Sequence, residues 1–182
     1  MINEALVELI AAVKARGVAV VFEIAPSDDL RYVGVFRDRT IVLYSTDDPF
    51  LALFTVAHLF GHLCQLASGD SHSLRVSRYV GSGRVLGDKE LHEITTYEYE
   101  AAQIGRALLA ETVAVTPTID AAYARLFFAD SAYLLHFLRS GERGPALFER
   151  FLAAQQGAAL ITPDARLLRH TLVEVCADIV VV

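Results

Sequence analysis

The 182-residue sequence predicts an α+β domain in which a small antiparallel or mixed sheet packs on two long helices, followed by a helical region. Three observations predict it. Short β-branched runs, at 18–24 and 40–45, lie in the first quarter of the chain. An almost wholly apolar stretch, 49–65, follows them, and the chain beyond residue 88 carries mainly helical periodicity. A soft boundary at 113–118 divides the α/β front portion, 1–113, from a helical rear portion, 114–182. Pro117 is the sole breaker there, so one continuous domain fits equally well.

Residues 4–16 carry Leu6, Leu9, Ile10 and Val13 at helical spacing and stop at Gly17, a residue suited to a helix C-terminus. Residues 18–24 are strand-like, and Pro26-Ser27-Asp28-Asp29 turns the chain. Two further strands, 31–36 and 40–45, flank the polar Arg37-Asp38-Arg39 as a hairpin. Asp47 or Asp48 can cap the next helix, Pro49 suits its first turn, and Gly69 ends it. Residues 68–87, rich in glycine and serine, read as one long irregular loop of the kind that forms lids. Asp88 can cap a helix running to about Leu109 or Val113. Beyond it the spacing predicts helices over 119–128, 131–139, 145–156 and 163–176, punctuated by Asp130, Gly141, Gly144, Gly157 and Thr162. The apolar Ile179-Val180-Val181-Val182 predicts an edge strand.

Hydrophobic residues make up 54% of the chain. The longest apolar run, 50–67, carries two histidines and a glutamine on one stripe, which predicts a buried core helix rather than a bilayer span of about 18–20 residues. The N-terminal Met1-Ile2-Asn3-Glu4 lacks the pattern of a secretory leader, and Cys64 and Cys176 do not suggest a disulfide framework. The expectation is a cytoplasmic protein without membrane association. A net charge of −6 argues against direct nucleic-acid binding, which draws on dense Lys and Arg. Arg75, Arg78, Arg84 and Lys89 cluster in the predicted loop, either as a solvated segment or as a lip that attracts an acidic partner.

The chemistry concentrates on two helices. His58 and His62 lie one turn apart on one face of the apolar helix, with Gln65 beside them. Two imidazoles in this relation are how a helix commonly offers a pair of metal ligands. The other reading is a pair of core histidines bonded to backbone or to a tyrosine, since a buried polar group needs a partner. On the wheel of residues 88–109, Leu91, Ile94, Ala101, Ala102, Gly105, Leu108 and Leu109 fall within about 80° of Glu98. Glu98 therefore sits at the centre of an apolar face, where a carboxylate is costly unless paired or ligated. Glu100 points to the polar side. Ala101, Ala102 and Gly105 are small enough to let the two helices approach closely. His58, His62 and Glu98 make a His₂Glu set with a fourth position open for water, as in catalytic zinc sites. Glu98 is held equally well by a tyrosine hydroxyl or a protonated histidine. Tyr97 and Tyr99 flank it, placed to line a pocket or merely to fill core and surface. His92, His136 and His170 read as structural, and the serine-rich 68–77 with His72 lacks a Gly-x-Ser-x-Gly elbow.

The segments Thr40-Ile41-Val42-Leu43, Phe54-Thr55-Val56-Ala57-His58-Leu59-Phe60-Gly61-His62-Leu63 and Glu98-Tyr99-Glu100-Ala101, with Leu108-Leu109 after them, give the chain a family pattern. Over about residues 5–109 it resembles the ImmA/IrrE family of zinc-peptidase-like proteins. The resemblance implies a zincin-like domain over 1–113 and one zinc ion held by His58, His62 and Glu98. It also implies a role in cleaving helix-turn-helix repressors in stress or mobile-element responses. In that family a glutamate usually follows the first histidine as general base. Here that position is Leu59, while Ala102 stands where an asparagine is common and Ala110 where a proline is common. A general base contributes about 10²–10⁴-fold; Glu93, Glu90 or a loop group such as His72 could stand in, and nothing in the sequence positions them. The expectation is a pseudo-peptidase that keeps its fold, and the zinc site with it, to bind a regulatory partner such as a transcription repressor, or a ligand. The alternatives are an active zinc-dependent peptidase and a structural or oligomerisation module.

Overall fold

The computed structural model describes residues 2–24, 34–44, 46–80 and 84–168. Over these the chain is α+β, with six helices and a three-stranded mixed sheet. α1 (Ile2–Ala15) buries Ala5, Leu9 and Val13, and Gly17 supplies the positive φ, 83°, that turns the chain into the sheet. β1 (Ala19–Glu23) runs parallel to β3 (Thr40–Tyr44), and β2 (Gly34–Arg37) runs antiparallel to it, so β3 is central. The predicted hairpin is therefore present. Its register sets Phe36 opposite Ile41 and Gly34 opposite Leu43.

α2 (Pro49–Ala67) is the helix the other elements surround. Asp48 caps it, its carboxylate accepting from the N–H of Phe50 at 2.9 Å and of Leu51 at 3.3 Å. By length and composition α2 is long and apolar enough to cross a membrane, which exceeds the sequence expectation; 78% of that stretch is buried inside the molecule. Its apolar character is accounted for by α1, the sheet, α4 (Asp88–Thr112) and α5 (Pro117–Ser140), all of which pack on it.

The α2–α4 crossing depends on glycine. A Cβ on Gly61 would lie 2.1 Å from the carbonyl oxygen of Ala101, and one on Gly105 would lie 2.5 Å from that of Ala57. Backbone meets backbone at both points, closer than any side chain permits. The small residues expected on α4 are thus matched by a glycine on α2 itself.

Several elements differ from the sequence expectation. Residues 68–87 are not one irregular loop: Ser71–Val80 form α3. Asp70 starts this helix by accepting from the Ser73 N–H at 2.9 Å. Its buried face is Ser73, Val76 and Ser77, and two serines on that face hide the apolar period. The helices expected over 119–128 and 131–139 are the single α5, because Ala129 and Ser131 are buried on either side of Asp130. One residue of modest helix propensity costs only about 0.7 kcal/mol, and packing overrides it. Gly87, not Asp88, caps α4, with its N–H donating to the Glu90 carboxylate at 3.1 Å. α6 (Pro145–Ala154) ends two residues before the predicted helix over 145–156. No helix begins at Pro163 within 163–168. The turn at 26–29, the rest of the helix to 176, His170, Cys176 and the 179–182 strand lie outside the described residues.

Residues of α5, among them Ile119, Tyr123 and Phe127, share one hydrophobic cluster with α1, α2, α4 and the sheet. The Tyr123 hydroxyl donates to the Ala102 carbonyl at 2.9 Å, pinning α5 across the same crossing.

If that crossing holds the molecule together, Gly61→Ala should lower unfolding free energy by about 2–3 kcal/mol, the upper range for overpacking. Urea denaturation measures this, and a loss below about 0.5 kcal/mol would show that the helices separate freely.

Candidate metal centre

The crossing brings together the three residues singled out in the sequence. His58 and His62 face Glu98 of α4, and all three are buried, at 5%, 7% and 6% exposure. His58 Nε2 is 3.0 Å from Glu98 Oε2, His62 Nε2 is 3.1 Å from the same oxygen, and the two Nε2 atoms are 3.2 Å apart. Three donor atoms on three side chains thus form a nearly equilateral triangle. Zinc bonds of about 2.0–2.1 Å in a tetrahedron require ligand atoms about 3.3 Å apart, so the triangle is within a few tenths of an ångström of that size. The set fits one metal ion and is the single group of this kind among the described residues.

Gln65 decides how His62 presents itself. Its amide nitrogen donates to the Tyr97 carbonyl at 2.9 Å and to Glu100 Oε2 at 2.8 Å. Both partners accept only, so the amide oxygen must be the atom that lies 3.0 Å from His62 Nδ1. That nitrogen then carries the proton, and Nε2 is left to face Glu98 and His58. A neutral imidazole in this state aims a lone pair at a carboxylate oxygen and at a second ring. The arrangement calls for a cation in the triangle or a proton shared among the three groups.

The electrostatics follow. Burial alone would lower the His62 pKa, but the Glu98 charge and the ring's hydrogen bonds to Glu98 and Gln65, with a smaller contribution from Asp130, raise it. Burial alone would raise Glu98, yet the His62 charge and the hydrogen bonds from both histidines hold its carboxyl below the ordinary range. Without a metal, the pair is best satisfied as imidazolium and carboxylate.

Aromatic rings wall the site. Phe54 stacks on His58 at 5.2 Å between centroids, and Tyr97 lies over His62 at 4.8 Å. Phe127 stands 6.0 Å from the His58 ring and Phe36 stands 6.4 Å from that of His62. Tyr97 therefore lines the centre, with burial pushing its hydroxyl pKa up; Tyr99 instead packs on Phe127. Among the described residues His58 Nδ1 is buried without a hydrogen-bond partner, and there it is His62 that has the outer hydrogen bond usual for a metal-bound imidazole.

Leu59 reaches the sheet. Its Cδ1 would stand 3.3 Å from a Cβ on Gly34 of β2, and it packs against the core. The residues considered as substitute bases are engaged elsewhere. Glu90 pairs with Arg84 and caps α4, Glu93 pairs with Arg75, and His72 bonds Arg75. These contacts place two of the four residues of the basic cluster, Arg75 and Arg84, in ion pairs with the first turns of α4. His92 is exposed on α4, and His136 bonds Glu142 at 2.9 Å. Cys64 is free and buried, its thiol pushed up to about 12 by burial.

Sequence reasoning placed Gln65 beside the histidines without its role, and it assigned Glu100 to the polar side. The Glu100 side chain bends back to reach Gln65, which a wheel of Cβ directions does not reveal. Asp130, read as punctuation, contributes charge to the site from α5. Comparison with family models, with curated proteins and with solved structures finds no match.

The two pKa directions set the pH behaviour of the metal-free protein. The depressed Glu98 contributes stability above its unfolded pKa near 4.3, lost as pH falls through the folded value. The raised His62 contributes stability below its unfolded pKa near 6.5, lost as pH rises through the folded value. Metal-free protein should therefore have its highest urea midpoint at about pH 5–6 and weaken toward pH 9, and Glu98→Gln should flatten that alkaline decline. An unchanged decline in Glu98→Gln would mean that the pair is not its source.

Proposed function

We propose that this chain is a metal-binding, metallopeptidase-like protein of ImmA/IrrE type that has lost the general base and serves as a regulatory binding module. The observation that carries the reading is the His58–His62–Glu98 triangle, of metal-ligand size, with Leu59 packed toward Gly34 where a base would follow the first histidine. Zinc is the favoured ion, because a His₂Glu set of this size suits its tetrahedral preference. Bound there, zinc would act as a Lewis acid and lower the pKa of a bound water. The chain's own residues hold and orient the ion. Gln65 fixes one imidazole, and Phe36, Phe54, Tyr97 and Phe127 limit access of water.

Two features separate this reading from an active peptidase. No carboxylate other than Glu98 joins the triangle among the described residues, and the three ligands are all but covered. In keeping with the resemblance, the partner proposed is a protein such as a helix-turn-helix repressor, bound without cleavage, in the cytoplasm.

Protein prepared without a polyhistidine tag should take up one zinc per chain, and His62→Ala should cut that affinity at least 100-fold. Less than about 0.2 equivalents after zinc addition and dialysis would sink the ligand assignment. Hydrolysis is read separately. Wild type should show no chelator-sensitive cleavage of casein or of candidate repressors. Such cleavage, lost in His62→Ala, would restore the peptidase reading.

A further inference from the structure

The hydrogen bonds of Gln65 form a chain that crosses from one helix to the other. Glu100 and the Tyr97 carbonyl on α4 accept from its amide nitrogen, and its amide oxygen accepts from His62 on α2. Gln65 is fully buried, at 0% exposure, and its bonds to His62 and to the Tyr97 carbonyl are buried with it. Apolar packing does not require an amide here; a leucine or methionine would fill the volume. Only the amide supplies two donors toward α4 and one acceptor toward the ring.

We propose that Gln65 is a positioning residue for the metal centre: it holds His62 with the proton on Nδ1 and Nε2 turned into the triangle, and Glu100 orients Gln65. The inference rests on the metal-binding reading given above and names the residue that makes one of its ligands competent. Among the described residues His58 has no such partner at its own Nδ1, and its ring is held by the stack on Phe54. Glu100 matters because it leaves the amide one way round. With a carboxylate and a carbonyl on the far side, a flipped Gln65 would set oxygen against oxygen twice. Outer partners of metal-bound histidines typically change affinity by about 10–100-fold.

The test is zinc affinity by competition with a chromophoric chelator, read beside urea stability and the nitrogen–proton correlations of the His62 ring. Gln65→Leu should weaken zinc about 10–100-fold. Gln65→Glu combined with Glu100→Gln restores an acceptor for Nδ1–H and avoids two facing carboxylates. It should bind zinc within about threefold of wild type even where its stability is lower. A residue that merely packs would instead leave affinity following stability across both variants. In wild type the Nδ1–H resonance should be slow to exchange, in metal-free protein at pH 6 and in zinc-loaded protein, and fast in Gln65→Leu. Unchanged zinc affinity in Gln65→Leu overturns the role. A His62 ring protonated at Nε2 alone overturns it whether or not zinc binds. If wild type binds no zinc but shows the protected Nδ1–H, the metal reading falls while the orientation by Gln65 stands.

Discussion

The Glu98 carboxylate between two imidazoles, buried where α2 and α4 cross, is the interaction on which the rest of the structure turns. A buried charge of this kind costs several kcal/mol unless fully compensated. Compensation here demands that α2 and α4 approach until backbone touches backbone. Gly61 and Gly105 permit that approach, and Tyr123 of α5 locks it through the Ala102 carbonyl. The sheet adds the outer wall, with Phe36 toward His62 and Gly34 thinned to admit Thr55 and Leu59. Sheet, helices and site are consequences of one close crossing.

The same crossing explains the chemistry proposed. Three ligand atoms converge because each is fixed from behind: His62 by Gln65, His58 by its stack on Phe54, and Glu98 by its place on α4. Fixed donors in a buried site suit tight binding of a small cation. Rapid turnover needs a base and an approach for substrate. The near-complete cover of the ligands and the apolar Leu59 in place of a base argue for retention of the ion over hydrolysis.

Much of this was legible in the sequence because periodicity reports burial. Glu98 stood out since its neighbours at helical spacing are apolar, and the His58–His62 pair since nothing else on α2 is charged. The hairpin around Asp38 and the cap at Asp48 follow from turn and capping chemistry, and both are present. What escaped did so for physical reasons. α3 buries serines where a helix normally buries aliphatics, so its period is masked. α5 runs through Asp130 because tertiary packing outweighs a small local preference. Glu100 reaches Gln65 through a long side chain whose path no wheel describes. The close approach of Gly61 to Ala101 needs both helices in place before it means anything.

The central claim is that the three side chains form a metal centre and not only an ion pair of core residues. Crystals grown with zinc, with diffraction recorded on both sides of the zinc absorption edge, address it most directly. The account predicts one anomalous peak within about 2.0–2.2 Å of His58 Nε2, His62 Nε2 and a Glu98 oxygen, at high occupancy. Zinc found only at surface sites, with the three side chains still bonded directly to one another, would contradict it.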